Sequence, residues 1–202
     1  MKIIDLLDAE FIVACNDLKL KVFGDYKPDL IVGIATGGAV VVDHMGLTDD
    51  KKIVIIKMQR PFTKTKNKIK LKNWLPYFPF WLSNIIRRLE LSFNEYRFYN
   101  SSNRKTLKGD VHFLKGSPDS FLDARKILLV DDSIDSGVTL KECLNFINQY
   151  ISSETEVRTS SINVTFRKPI IMPDYTLYSR TIVRYPWASD VRLKNEKNSL
   201  RS

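Results

Sequence analysis

The sequence predicts an α/β protein built on an open, mainly parallel sheet flanked by helices. Three observations carry this. Leu30–Ile34 (LIVGI), Ile53–Ile56 (IVII) and Ile127–Val130 (ILLV) are continuous apolar runs rich in β-branched residues, as strands covered on both faces require. Beside them, apolar residues step by three or four, as amphipathic helices do. The order is helix, strand, helix, strand, a long insertion, strand, helix, strand. In such sheets ligands gather at the carboxyl ends of the strands.

The first helix is read from Leu7, Phe11, Ala14, Leu18 and Val22. The first strand then runs into Gly33-Ile34-Ala35-Thr36-Gly37-Gly38, which holds three of the eight glycines. A Gly-rich turn from strand to helix presents backbone N–H groups to a pyrophosphate, although a tight βα turn needs glycine in any case. Lys57 leaves the end of the second strand, and Arg60 follows it. An insertion spans about residues 61–116, too long for a plain loop, so structure is expected within it. Leu82, Ile85, Ile86, Leu89, Phe93 and Tyr96 form a helical stripe, with Arg87, Arg88, Glu90 and Arg97 off it. Trp74, Tyr77, Phe78, Phe80 and Trp81 precede that stripe. Such a cluster is expected to pack in a core, a lid or a subunit contact of a homo-oligomer. After the third strand, Leu140, Leu144, Ile147 and Ile151 mark another helix. Ile162, Val164 and Phe166 alternate with polar residues, which predicts a strand with one exposed face.

Composition bounds the function. The chain has 202 residues, 44% hydrophobic and 27% charged, which is ordinary for a globular protein. One domain over 1–202 is expected, carrying the insertion and a small C-terminal hood over about 167–202. The two cysteines, Cys15 and Cys143, have no metal-ligand spacing and suit a reducing compartment. No transmembrane segment is expected, because the most apolar window, Leu75–Leu82, is short and broken by proline. The start MKIIDLLDAE lacks the apolar stretch of a secretory signal, so the expected location is cytoplasmic. Of the net charge of +9, the stretch from Lys57 to Lys108 alone contributes +11, leaving a near-neutral body. A basic segment of this kind, Lys-rich at Lys64–Lys72, meets phosphates, an anionic membrane face or an acidic partner. Nucleic acid is not the favoured partner, because the segment is short and its aromatic neighbours read as packing residues. His44 and His112 have no ligand partner at metal spacing and read as structural.

The most informative stretch is Val130-Asp131-Asp132-Ser133-Ile134-Asp135-Ser136-Gly137-Val138-Thr139-Leu140. Two adjacent acids stand at the end of a buried strand, and a short loop enters an amphipathic helix. The helix N-terminus offers unpaired N–H groups and positive dipole. Gly137 permits close backbone approach, while Ser136 and Thr139 add hydroxyl donors. These parts make a monophosphate cradle. The paired acids beside it can grip sugar hydroxyls, directly or through a divalent cation.

That stretch resembles the phosphoribosyl-pyrophosphate motif of the type I phosphoribosyltransferases, with Ser136 where threonine is commoner. The resemblance implies the fold of that family and assigns Asp135, Ser136, Gly137, Val138 and Thr139 to the ribose 5-phosphate. It makes Ala35, Thr36, Gly37 and Gly38 the pyrophosphate loop and places Lys57 near the pyrophosphate. Mg²⁺ is the implied cofactor, with Asp131 and Asp132 behind the ribose hydroxyls and Asp135 as the proton-transferring group. Tyr185-Pro186-Trp187-Ala188-Ser189-Asp190 is similar to the hood of the 6-oxopurine members. There an aromatic stacks on the base and an acid touches the metal, which points to Trp187 and Asp190. Lys168, following the alternating strand, matches the donor to the 6-oxo group, with Arg167 one residue away. The implied reaction moves the 5-phosphoribosyl group from phosphoribosyl pyrophosphate to a nucleobase, with a 6-oxopurine expected, which places the chain in purine salvage and releases pyrophosphate. The alternative is a regulator on the same fold that binds the sugar phosphate or a nucleotide without turnover.

Overall fold

The computed structural model describes residues 1–48, 51–59, 80–100 and 109–188. The chain order is β1 (Lys2–Asp5), α1 (Asp8–Phe23), β2 (Leu30–Ile34), α2 (Gly37–His44), β3 (Lys52–Gln59), α3 (Phe80–Asn100) and β4 (Asp110–Lys115). A short 3₁₀ turn at Pro118–Phe121 leads to β5 (Lys126–Ile134), α4 (Val138–Ile147), β6 (Glu156–Val164), β7 (Tyr175–Ser179) and β8 (Thr181–Arg184). No helix among the described residues is long and apolar enough to cross a membrane.

Six strands form the main sheet in the order β4-β3-β2-β5-β6-β7. All neighbours are parallel except β3 and β4. The α/β class and the parallel sheet therefore stand as read from the sequence, with the antiparallel edge strand β4 unforeseen inside the insertion. The period of two along each strand divides the core into two layers. Ile31, Leu128, Val130 and Ile162 face α1 and α2, against Phe11, Ala14, Leu18, Val22, Val41 and Val42. Leu30, Val32, Ile34, Ile127 and Leu129 face the other way, against Leu140, Cys143 and Ile147 of α4. Each such fully buried side chain is worth about 1.5–3 kcal/mol of transfer free energy.

From β2 the chain builds outward through β3 and β4, then returns to the other side of β2 for β5, β6 and β7. Strand order thus reverses between β2 and β5, and the crevice at their carboxyl ends is where open α/β sheets bind ligands.

Three expectations change. The strand β6 is not half exposed: Ser160, Ser161 and Asn163 are as buried as Ile162 and Val164. Its polar face is covered by the hood, and Asn163 is satisfied there by donating from Nδ2 to the Thr181 carbonyl at 2.9 Å. The hood is not purely C-terminal, because β8 pairs in parallel with β1 at the start of the chain. The apolar stripe of the insertion helix is not core: Ile85, Leu89, Phe93 and Tyr96, with Trp81 before them, are 44–67% exposed and Leu82 and Ile86 are half-buried, an arrangement that suits the expected subunit contact instead. The surface that α3 meets mixes Arg180 and Arg184 with Phe166, Ile182 and Val183, and the helix turns Arg87, Glu90 and Asn94 toward the cleft beside Leu91. Trp74, Tyr77, Phe78 and Lys64–Lys72 lie outside the described residues.

Candidate active site

The Gly-rich turn and the acid pair are packed against one another. A Cβ built on Gly37 would stand 2.1 Å from Cγ of Asp132, and one on Gly38 would stand 2.3 Å from the Val130 carbonyl oxygen. Only glycine lets the turn between β2 and α2 lie this close to β5. Ala35 N–H donates to the Ile56 carbonyl at 2.7 Å, which fixes the start of the turn beside β3. Thr36 is exposed just before α2, and the Ala35–Thr36 peptide is cis. Lys57 follows Ile56 on β3 and is exposed.

The acids do not follow the strand, as the sequence suggested; β5 continues through them to Ile134. Asp131 is 8% exposed and accepts a hydrogen bond from the Asp132 backbone N–H at 2.9 Å. Burial, then the neighbouring Asp132 charge, holds the Asp131 carboxyl well above the usual carboxylate range. Burial also raises Asp132, against hydrogen bonds from Asp131 and the Ser133 backbone. Two adjacent carboxyls held this way resist carrying two charges unless a cation joins them. The Tyr185 hydroxyl buttresses the pair, 2.8 Å from the Asp132 carbonyl oxygen and 2.6 Å from Asn163 Oδ1.

Gly137 caps α4 with φ 79°, and a Cβ there would come within 2.9 Å of the Ile171 carbonyl oxygen. The glycine is thus required by left-handed backbone and by the 170–171 segment over the loop. That segment is tied down by Ile170 N–H donating to the Ser136 carbonyl at 2.9 Å. Ser136 Oγ accepts from the Val138 N–H at 3.4 Å. Thr139 with Ser136 and Gly137 lines a small hollow at the start of α4, shared with Asp131 and Asp135. The Asp135 carboxylate, exposed at the loop, takes a short hydrogen bond from the Thr165 hydroxyl.

A second, larger cleft of about 220 Å³ opens from Asp135 and Ser133. Its other walls are Asn163 and Thr165 of the β6 end, Ile182 and Val183 of β8, and Arg87, Glu90, Leu91 and Asn94 of α3. The helix is fastened across the cleft by long-range contacts. Arg180 Nη1 donates to Glu95 Oε1 at 2.8 Å and Oε2 at 2.9 Å, and Arg167 N–H donates to the same carboxylate at 2.5 Å. Burial pushes the Glu95 carboxyl up, but the hydrogen bonds from Arg180, Arg167 and Tyr99 pull it below its ordinary value. The Tyr99 hydroxyl accepts from Lys168 N–H at 2.8 Å. Arg184, buried, reaches Asp5 of β1 at 2.7 Å and Asn84 of α3.

The structure therefore brings Asp131, Asp132, the Gly turn and the 135–139 loop together, and leaves two sequence candidates outside the cleft. Lys168 is exposed, and its main chain rather than its side chain carries the contact to α3. Trp187 stacks face to face on Tyr185, ring centroids 4.8 Å apart, and meets Phe11 edge-on at 5.3 Å. Arg60, Asp190 and the rest of the hood beyond residue 188 lie outside the described residues. Among the described residues no cluster of three or more metal-ligating side chains occurs. His44 Nδ1 lies 2.9 Å from the Val40 carbonyl, a structural contact. Sequence reading missed Arg87, Glu90 and Asn94 as cleft residues, although their spacing of three and four places them on one helical face.

The family model for the phosphoribosyl transferase domain matches residues 5–180. No match is found among curated proteins. Solved structures with the same fold include a xanthine-guanine-hypoxanthine phosphoribosyltransferase of Helicobacter pylori, 16% identical, TM-score 0.62, covering 97% of this chain and 99% of that one. A purine phosphoribosyltransferase from Pyrococcus horikoshii is 18% identical, TM-score 0.57, with 93% and 94% covered. A hypothetical protein from Neisseria gonorrhoeae with bound ppGpp is 15% identical, TM-score 0.58, with 100% and 98% covered.

Proposed function

The chain belongs to the phosphoribosyltransferase family of enzymes, and on that premise we propose that it transfers the 5-phosphoribosyl group of phosphoribosyl pyrophosphate to a 6-oxopurine. The observation that carries the transfer is the packing of the Gly37–Gly38 turn directly on Asp132 and Val130, next to the 135–139 loop. A donor with a phosphate at one end and a pyrophosphate at the other needs two such N–H-rich sites flanking a group that grips its sugar.

In this reading the loop Asp135–Thr139 holds the 5-phosphate, with Ser136 and Thr139 hydroxyls and the α4 N-terminal amides as donors. Ala35, Thr36, Gly37 and Gly38 take the pyrophosphate, with Lys57 as the nearby cation. Asp131 and Asp132 grip the ribose hydroxyls. Mg²⁺ fits this donor set, because two buried oxygen ligands whose joint ionisation is disfavoured suit a hard cation completed by substrate oxygens. When bound, the ion would be held by Asp131 and Asp132 and would supply charge compensation to the pyrophosphate. As the bond from C1 to pyrophosphate loosens, the amides of the Gly turn stabilise the leaving charge. Asp135, steadied by Thr165, stands at the mouth of the larger cleft and exchanges the N7 proton of the base while the base's other imidazole nitrogen attacks. The walls of that cleft keep water from the reactive sugar.

The VDDSIDSGVTL motif supports the sugar-phosphate donor, and the 6-oxopurine choice is supported by the likeness of Tyr185-Pro186-Trp187-Ala188-Ser189-Asp190 to the hood of the 6-oxopurine members and by the purine enzymes that share the fold. The test is a panel of bases incubated with phosphoribosyl pyrophosphate and Mg²⁺, following pyrophosphate release. Release with hypoxanthine, guanine or xanthine and little with adenine is the expected result. Tight binding of phosphoribosyl pyrophosphate with no release from any base would replace the enzyme with a nucleotide-binding regulator.

A further inference from the structure

The insertion helix is more than a cover. Resting on the transfer reading above, we propose that Arg87, Glu90 and Asn94 of α3 select the acceptor: a flat heterocycle presenting both an oxo oxygen and a ring N–H on the edge away from the reacting nitrogen. Three observations converge on this.

The first is placement. The cleft that opens from Asp135 has α3 as one complete wall, and the helix contributes four of its lining residues at a spacing of three, one and three. That spacing puts them on one face. The second is hydrogen-bond accounting on the opposite wall. Asn163 spends Nδ2 on the Thr181 carbonyl and Oδ1 on the Tyr185 hydroxyl. Thr165 spends its hydroxyl on Asp135 and the Ile134 carbonyl. The sheet side therefore has little left with which to read a base edge. On α3, by contrast, the side chains of Glu90 and Asn94 make no hydrogen bond among the described residues. Glu90 offers only acceptors and Asn94 both kinds of group, beside the Arg87 guanidinium on the same face. The third is the apolar complement. Leu91 of α3 and Ile182 and Val183 of β8 are the aliphatic liners, and together they supply surface for the two faces of a ring. Among the described residues the liners are polar or aliphatic, so on this wall hydrogen bonding to the edge of the ring carries the choice of acceptor.

The wall is also built to stay in place. Glu95 and Arg180 join α3 to the β7–β8 turn, Asn84 joins it to Arg184, and Phe98 and Tyr99 pack on Phe166 with ring centroids 5.7 and 6.5 Å away. Selective residues on a fixed wall can reject an edge of the wrong pattern, because they leave unpaired groups behind when it enters.

The full chain is tested in two ways. Nucleoside monophosphates carrying hypoxanthine, guanine or adenine, and ribose 5-phosphate as the base-free control, are titrated calorimetrically into wild type, Glu90→Gln, Asn94→Ala and Arg87→Lys. The expected result is a loss of at least about tenfold in affinity for the oxopurine nucleotides, with ribose 5-phosphate changed by less than about twofold. In steady state, the KM for the base should rise and the rank order of bases should shift while the KM for phosphoribosyl pyrophosphate holds. Asn94→Ala sits on an exposed helical surface where alanine favours the helix, so it keeps the test independent of folding. Unchanged nucleotide affinity in all three variants would overturn the proposal, and so would equal weakening of ribose 5-phosphate. If wild type turns over no base, the transfer reading fails, yet the titrations still decide whether α3 reads the base.

Discussion

The sugar-phosphate half of the site and the acceptor half are built by different means. The first is made from two short stretches of chain, the 35–38 turn from β2 into α2 and the 131–139 stretch in which the end of β5 passes through a tight turn into α4. Its close contacts, Gly37 on Asp132 and Gly38 on Val130, join adjacent strands of one rigid sheet. The second is assembled from distant pieces: Glu95 meets Arg180 across 85 residues and Asn84 meets Arg184 across 100. In the proposed reading, local stretches of chain hold the chemistry that every substrate shares, whereas tertiary contacts set which acceptor enters. Damage to the first half should remove turnover outright, and damage to the second should redistribute it.

The largest effect is expected from Asp131→Asn combined with Asp132→Asn. Turnover should fall by at least about a thousandfold, measured as pyrophosphate release, since grip on the ribose and charge balance are lost together. Stability should move the other way. Both carboxyls are raised in the folded protein, so the fold binds protons more tightly than the unfolded chain does. Stability is then lost as pH rises from the ordinary carboxylate range toward the raised folded values. The double variant should therefore melt higher than wild type at pH 7 in the absence of divalent cations, and the difference should vanish near pH 4. A Tm below wild type at pH 7 would mean that the acids hold the fold rather than the ligand.

Next comes Gly137→Val, which would force a β-branched residue to φ 79° and push it toward the Ile171 main chain. Strain of about 1–3 kcal/mol and loss of ribose 5-phosphate binding are expected together, by thermal melting and calorimetry. Binding retained at wild-type affinity would show that the cradle tolerates a shifted loop, which would narrow the contrast between the two halves.

The contrast also explains what could be read from the chain. The strands LIVGI, IVII and ILLV and the 130–140 stretch were legible because apolar continuity and short-range loop chemistry determine them locally. The orientation of α3 was not. Its strongest periodic signal, Ile85, Leu89, Phe93 and Tyr96, faces outward, while its cleft face carries Arg87, Glu90 and Asn94. Hydrophobic periodicity locates a helix but cannot choose its inner face when the surface opposite mixes Arg180, Arg184 and the Lys168 main chain with Phe166, Ile182 and Val183. Strand β1 was missed for a related reason: it pairs only with β8, at the far end of the sequence.

A smaller effect, confined to the acceptor half, is expected from Arg180→Ala. The Glu95 pair is only partly shielded, so its loss should lower stability by no more than about 1 kcal/mol. The KM for the base should nevertheless rise by about tenfold with the KM for phosphoribosyl pyrophosphate unchanged, because α3 loses one of its fastenings. The Glu95 carboxyl is held below its ordinary value, so this fastening is present above the ordinary carboxylate range and is lost as pH falls through the lowered folded value. Wild type should therefore lose base affinity in acid before Arg180→Ala does, and identical pH profiles would contradict the fastening role.

The smallest effect should come from Lys168→Met, and it separates a side-chain role from a main-chain one. The sequence placed a donor to the 6-oxo oxygen at Lys168, but its side chain is exposed and does not line the cleft. What the rest of the molecule uses is the Lys168 N–H, which donates to Tyr99 on α3 and survives any substitution other than proline. Methionine should thus leave kcat/KM for each base within about twofold and keep the preference for oxopurines over adenine. Tyr99→Phe removes the acceptor of that main-chain bond and should have the larger effect, through the position of α3 and so on the KM for the base. If Lys168→Met instead collapses the discrimination against adenine, the side chain must swing into the cleft when the base binds. The acceptor half would then owe its selectivity to the end of β6 as well as to the insertion helix.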